Sequence, residues 1–256
     1  MKSHALNRDA LISVASVAVM LLAWQGAAAS RLVPAIYISS PEGVLQAGRQ
    51  LAEQGELGRD AALSATTYLI GMGLVVAVGI PLGIAIGWFE DVRSAAGPFI
   101  SALNVIPRVA LFPLMVLWLG IGMRSTVAVV FLSALLPIVL NTSQGVSQLE
   151  PTLLRVAHSF GASGRQVFFT IALPSAVPFT LAGLRLAAGR GLIGLVVGEL
   201  LIGDSGLGQL VASAGQRFAT AELLAAALCV TAAGMAIIQG LRSLEHRFQA
   251  WRPAHA

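Results

Sequence analysis

The chain has 256 residues, of which 56% are hydrophobic and 11% charged, with a mean hydropathy of +0.81. A soluble domain carries about 25% charged residues, so this composition excludes a water-facing surface over most of the chain and makes lipid part of its solvent. The formal net charge of +4 is carried almost wholly by arginine, Lys2 being the only lysine; the arginines stand at the ends of apolar segments, which argues against nucleic acid as a partner.

A membrane helix needs roughly 20 mostly apolar residues, and six segments read as spans of an all-α, polytopic membrane protein. The first covers residues 10–29. Lys2 and Arg8 precede it and Ala27-Ala28-Ala29 close it, as in a signal peptide. An uncleaved span is preferred, because it keeps both chain ends on one side. Residues 31–60 follow as an outer loop, where Pro41 and the run 44–56 predict a short amphipathic helix. The second span, residues 63–88, carries Gly79, Gly83 and Gly87 on one face, a spacing that lets another helix approach closely. Pro81 should kink it. The third span is expected at residues 98–119, kinked by Pro107 and Pro113, and the fourth and shortest at 126–140, kinked by Pro137. Residues 141–177 form the largest cytoplasmic segment. The fifth span covers residues 178–202, a glycine-rich turn occupies 203–208, and the sixth span covers 221–241, where Cys229 reads as a small hydrophobe. With the N-terminus in the cytoplasm, the short inner loops hold more basic residues than the outer ones, as the positive-inside rule requires. No separate soluble domain is evident, so residues 1–256 read as one transmembrane domain.

The segment 150–174 is the most informative. Pro151 suits the first turn of a helix, and Leu153, Leu154, Ala157 and Phe160 recur at helical spacing. Gly161 fits the left-handed position that ends a helix. Ser163 followed by Gln166 signals a capping box for a second helix, which Pro174 should end. Two short helices therefore meet at a glycine corner, with Phe168 and Phe169 adding apolar surface. On these grounds alone the corner is either a partner-docking element or a hairpin packed on its own bundle.

Gly161-Ala162-Ser163, Gln166, Phe168 or Phe169, Ile171, Leu173 and Pro174 resemble the coupling-helix signature of binding-protein-dependent ABC transporter permeases. The runs 174–178, 182–186 and 196–200 resemble the fifth span of the nitrate/sulfonate/taurine branch. Ser40-Pro41, residues 79–83, residues 106–114, Gly120-Ile121-Gly122 and Gly206-Leu207-Gly208 fit the same branch. The resemblance implies the type I importer permease fold with six transmembrane helices. It implies a pair of permease subunits, cytoplasmic ATPase subunits that hold ATP and Mg, an extracytoplasmic solute-binding protein, and residence in the cytoplasmic (inner) membrane. It also implies ATPase coupling through Ala157, Gly161, Ala162, Ser163, Gln166, Phe168 and Pro174. One departure stands out: the family's Glu-Ala-Ala opening is replaced by Arg155-Val156-Ala157, so no acidic contact carries over to Arg155.

The chain offers little chemistry of its own. A P-loop needs a lysine after its glycine-rich turn, and Lys2 is far from any such turn. His4, His158, His246 and His255 lack metal-ligand spacing, and no Gly-x-Ser-x-Gly elbow is present. A catalytic role is therefore not expected, nor a cofactor bound by this chain. Arg108, Arg185, Arg190 and Glu199 lie in or near spans, where charges are costly and point to function. Arg185 and Arg190 project about 140° apart on a helix. Arg108 and Glu199 are the candidates for pairing with other helices or lining a path, against the simpler reading that Arg108 and Arg185 snorkel to an interface. The rival from another class is an ion-coupled secondary transporter, for which Glu199 would be the one intramembrane carboxylate.

Overall fold

The computed structural model describes residues 2–30, 34, 37–149 and 151–248, and all regular structure among them is helical. Arg31, Glu150, Arg252 and His255 lie outside the described residues. Helix α1 (Lys2–Ala29) leads to the short α2 (Pro41–Glu53), and then to α3 (Glu56–Trp88) and α4 (Glu90–Val105). A 3₁₀ turn (Arg108–Leu111), α5 (Phe112–Leu119) and α6 (Met123–Ser147) follow. The short helices α7 (Pro151–Ser159) and α8 (Gly164–Val167) precede a π turn (Phe168–Ala172) and α9 (Leu173–Ile202). The described chain closes with α10 (Leu207–Gln216) and α11 (Thr220–Phe248).

The second, fourth, fifth and sixth expected spans correspond to α3, α6, the run Gly164–Ile202 and α11, all long and apolar enough to cross a bilayer. The first falls within α1, where Ala15–Ala29 is an apolar stretch among the described residues. The third is not a straight span. It is the pair Glu90–Val105 and Arg108–Leu119, bent by 95°. Pro107 lacks a backbone N–H and pushes the residue before it out of the helical region, and Ile106 is accordingly extended at ψ 122°.

Helix α6 outruns its expected end by seven residues and forms the centre of the bundle, with α3 on one side and α9 on the other. Glycines make both approaches close. A Cβ built on Gly83 would lie 2.7 Å from Thr142 Cβ and 2.8 Å from the Val139 carbonyl oxygen; one on Gly87 would lie 2.6 Å from Val146 Cβ. From the other side, Gly183 meets Asn141 and Gly194 meets Ser133 at similar range. The glycine stripe of α3 is therefore a packing surface, and Val75, Val130, Ile138 and Val139 fill the core beside it.

The outer-loop helix forms as expected. Ser40 caps α2 by accepting from the Gly43 N–H at 3.0 Å, and Val44, Ala47 and Leu51 are its buried face. Leu51 packs with Leu210 of α10 and Ala226 of α11. Trp24 Nε1 donates to the Ser39 carbonyl at 2.7 Å, holding α1 to this cap. Helix α10 starts at the end of the expected 203–208 turn, runs on through residues for which no element was expected, and places Leu207, Leu210 and Ala214 inward.

Candidate functional site

The glycine corner is built by local backbone chemistry. Gly161 has φ +74°, the left-handed region that glycine enters without Cβ strain. Its N–H donates to the His158 carbonyl at 2.9 Å, and the Ala162 N–H donates to the Ala157 carbonyl at 3.0 Å. These two bonds are a Schellman ending for α7. The capping box then opens α8: the Ser163 N–H donates to Gln166 Oε1 at 2.7 Å, and the Gln166 N–H donates to Ser163 Oγ at 3.4 Å.

Pro174 does not end the second helix. The chain passes through the π turn Phe168–Ala172 straight into α9, and Pro174 sits in the first turn of that helix. The Leu173 N–H reaches back to the Phe168 carbonyl, five residues away. This wider ring re-pairs the backbone where proline supplies no donor. The regular helices thus enter the expected 141–177 segment from both ends and leave residues 148–163 between α6 and α8.

The corner's expected residues divide into two groups. Gly161 and Gln166 are exposed, and Ala157 and Ala162 half-buried, around a groove of about 360 Å³ that also includes Phe160 and Thr170, while Ser163 is exposed beside it in sequence. Phe168 instead packs on the bundle, against the cluster of Val146, Ala172 and Ala176, and Pro174 is half-buried in the first turn of α9. Phe168 stacks edge-on against Trp88 of α3 at 4.9 Å and against Phe169 at 5.0 Å. Phe160, 87% exposed, and Phe169, 55% exposed, are aromatic side chains the corner presents outward, beside the exposed Leu153 and Val156 of α7. Arg165 lies over the Phe169 ring at 5.9 Å. Phe160 was assigned to a helix face by its spacing, but its full exposure depends on where the glycine turns the chain.

Glu199 and Arg108 belong to different places. Glu199, 3% exposed, lies near the far end of α9 from the corner. Its carboxylate accepts from Ser64 Oγ of α3 at 2.7 and 2.8 Å and from the Gly208 N–H of α10 at 2.8 Å. Ser64 Oγ in turn accepts from the Leu207 N–H at 2.8 Å, and Asp60 accepts from the Gly206 N–H at 3.3 Å. These bonds fasten the start of α10 to α3 and α9. An apolar cavity of about 380 Å³ lies beside them, bordered by Tyr68, Leu195 and the half-buried Cys229. Glu199 is therefore bonded to α3 and α10.

Arg108 lines a separate cavity of about 590 Å³ at the break between α4 and α5. Asn104 and Pro107 border it from the broken pair, Pro137 and Asn141 from α6, and Leu186 and Arg190 from α9. The sequence reading named Arg190 as an intramembrane charge but missed Asn104 and Asn141; the 95° bend is what gathers these residues.

The chain's relatives agree with this architecture. Residues 79–248 match the family described as binding-protein-dependent transport system inner membrane component. The taurine transport system permease protein TauC of Escherichia coli K12 is 34% identical over 251 residues, covering 96% of this chain and 91% of that protein. SsuC of the same organism, named as an aliphatic sulfonates transport permease, is 31% identical over 235 residues, 91% of this chain and 88% of that one. Among solved structures, an inward-facing form of the MetNI methionine ABC transporter matches with a TM-score of 0.55 at 17% identity, covering 72% of this chain and 95% of the matched chain.

Proposed function

This chain belongs to the binding-protein-dependent inner-membrane permeases of ABC transporters, and from that premise we propose that it imports a small sulfonate- or taurine-like anion across the cytoplasmic membrane. The substrates named for TauC and SsuC support that cargo. The whole chain acts as one transmembrane domain, paired with a second copy and with both termini in the cytoplasm. ATP and Mg are held by separate ATPase subunits, and an extracytoplasmic solute-binding protein delivers the cargo.

The observation that carries the coupling role is the corner at Gly161. Its backbone is held by a Schellman ending and a capping box, its outer surface offers Phe160 and Phe169, and its base is pinned to α3 through Phe168 and Trp88. Ala157, Gly161, Ala162, Ser163 and Gln166 form the docking surface for the ATPase. Phe168 and Pro174 transmit its movement into α9. ATP binding closes the ATPase pair, carries the two corners with it, and shifts the spans between inward- and outward-open states. Each ligand acts only through its differential affinity for those states. The engagement of Glu199 with Ser64 and Gly208 supports this reading over ion-coupled transport, because that carboxylate already serves as a helix fastening.

The test is a pull-down from solubilised native membranes with wild type and Gly161→Arg, assaying ATP hydrolysis in each eluate. An ATPase retained by wild type and lost by the folded variant is the expected result. No ATPase in either eluate overturns the reading.

A further inference from the structure

The cavity at the α4–α5 break has a charge pattern that packing does not explain. Arg190 lies twelve residues before Ile202, the end of α9, about 18 Å along the helix at 1.5 Å per residue. A hydrocarbon core is about 30 Å thick, so this arginine sits near mid-depth, and it is exposed. A guanidinium at that depth cannot face lipid without a large cost and marks a water-filled space or a pathway. Arg108 borders the same cavity. The ion pair found among the described residues joins Arg217 and Glu222, so neither Arg108 nor Arg190 is neutralised by a described carboxylate.

The lining carries positive charge and no negative charge. Two guanidiniums and the amides of Asn104 and Asn141 supply hydrogen-bond donors, and none of the described lining residues is acidic. Asn141 uses one amide hydrogen on the Pro137 carbonyl at 2.8 Å and keeps the other. Pro107 and Pro137 keep the neighbouring backbone from donating at their positions, which leaves the guanidiniums as the dominant groups. Arginine's planar fork is suited to oxyanions with two or three equivalent oxygens. The volume, about 590 Å³, lies in the range that holds small organic ligands. Rings of arginine or lysine are how pores select anions.

We propose that this cavity is an anion site within the membrane domain, with Arg190 and Arg108 as specificity-determining residues that hold the oxyanion head of the cargo during passage. Selection is then made twice, once by the solute-binding protein and again by the permease. This rests on the reading that the cargo is a sulfonate-like anion, and it adds the residues that recognise it inside the bilayer.

The experiment uses the complete transporter, purified with its ATPase and binding protein and reconstituted in proteoliposomes, with radiolabelled taurine and ethanesulfonate as probes. Wild type, Arg190→Gln, Arg190→Lys and Arg108→Gln are compared for uptake and for ATP hydrolysis stimulated by the loaded binding protein. Arg190→Gln should lower uptake roughly tenfold or more, the loss expected for one charge-assisted contact, while stimulated ATP hydrolysis persists. Arg190→Lys should recover much of the uptake. Wild-type uptake by Arg190→Gln, or equal losses in the lysine and glutamine variants, would overturn the site. Should Arg190→Gln lose stimulated hydrolysis, Arg108→Gln decides by the same two readouts. A wild-type complex that imports neither probe removes the cargo reading and this site with it; one that imports them while the arginine variants do so equally removes the site alone.

Discussion

The fastening at Glu199 can be weighed by a double-mutant cycle. Glu199→Ala leaves two buried donors without an acceptor, the Gly208 N–H and the Ser64 hydroxyl. A buried donor left unmade costs about 1–3 kcal/mol, so the single change should destabilise by about 2–6 kcal/mol. Ser64→Ala orphans the Leu207 N–H and removes one bond from the carboxylate. In the double variant the Ser64–Glu199 bond is lost once, although each single change already counted it. The sum of the two single effects should therefore exceed the double by about 1.5–3 kcal/mol, the worth of a hydrogen bond to a charged group. Equilibrium unfolding of the four proteins by SDS titration in mixed micelles gives the cycle, with hydrogen exchange at Gly208 reporting the local effect. Effects that add to within about 0.5 kcal/mol, as independent sites do, would refute the argument.

The two faces of α3 should answer differently to one substitution. Gly83→Val drives a Cβ against Thr142 and the Val139 backbone and should cost about 1–3 kcal/mol, read as a loss of roughly 2–12 °C in thermal unfolding in detergent. Gly73→Val has open space around it and should leave the melting temperature unchanged; equal shifts in both would mean that the stripe is not a packing surface. Ser163→Ala removes the acceptor of the Gln166 N–H and should weaken α8 locally by about 0.5–2 kcal/mol. Hydrogen exchange should quicken at Gln166 while global unfolding stays put, and an unchanged rate there would show that the capping box does not hold the corner.

What could be read in advance was what neighbours in sequence decide. The left-handed Gly161 and the Ser163–Gln166 box depend on a few adjacent residues, and both stand as expected. The amphipathic α2 and the glycine face of α3 follow from periodicity. The third span was expected to kink at Pro107 and Pro113 while crossing as one helix; the full 95° break comes from Pro107 with an extended Ile106 before it. Pro174 was read as a stop because a proline breaks α-bonding, but a π turn absorbs it. Helix α10 could have been found from Leu207, Leu210, Val211 and Ala214, whose spacing is helical. The side-chain partner of Glu199, Ser64, lies 135 residues away, and Arg108 shares a cavity with Arg190 of a different helix. No local pattern encodes either meeting.

The π turn also lets the corner tolerate a change of length. Such a turn holds one residue more than an α-helix would over the same stretch. Removing a single residue between 168 and 172 would restore ordinary α-bonding and leave the chain on either side in its present phase. The same deletion inside the regular part of α9 would instead turn everything before it by about 100° around the helix axis. Related chains could thus lose one amino acid at this turn without re-aiming the corner or disturbing the helix that crosses the bilayer.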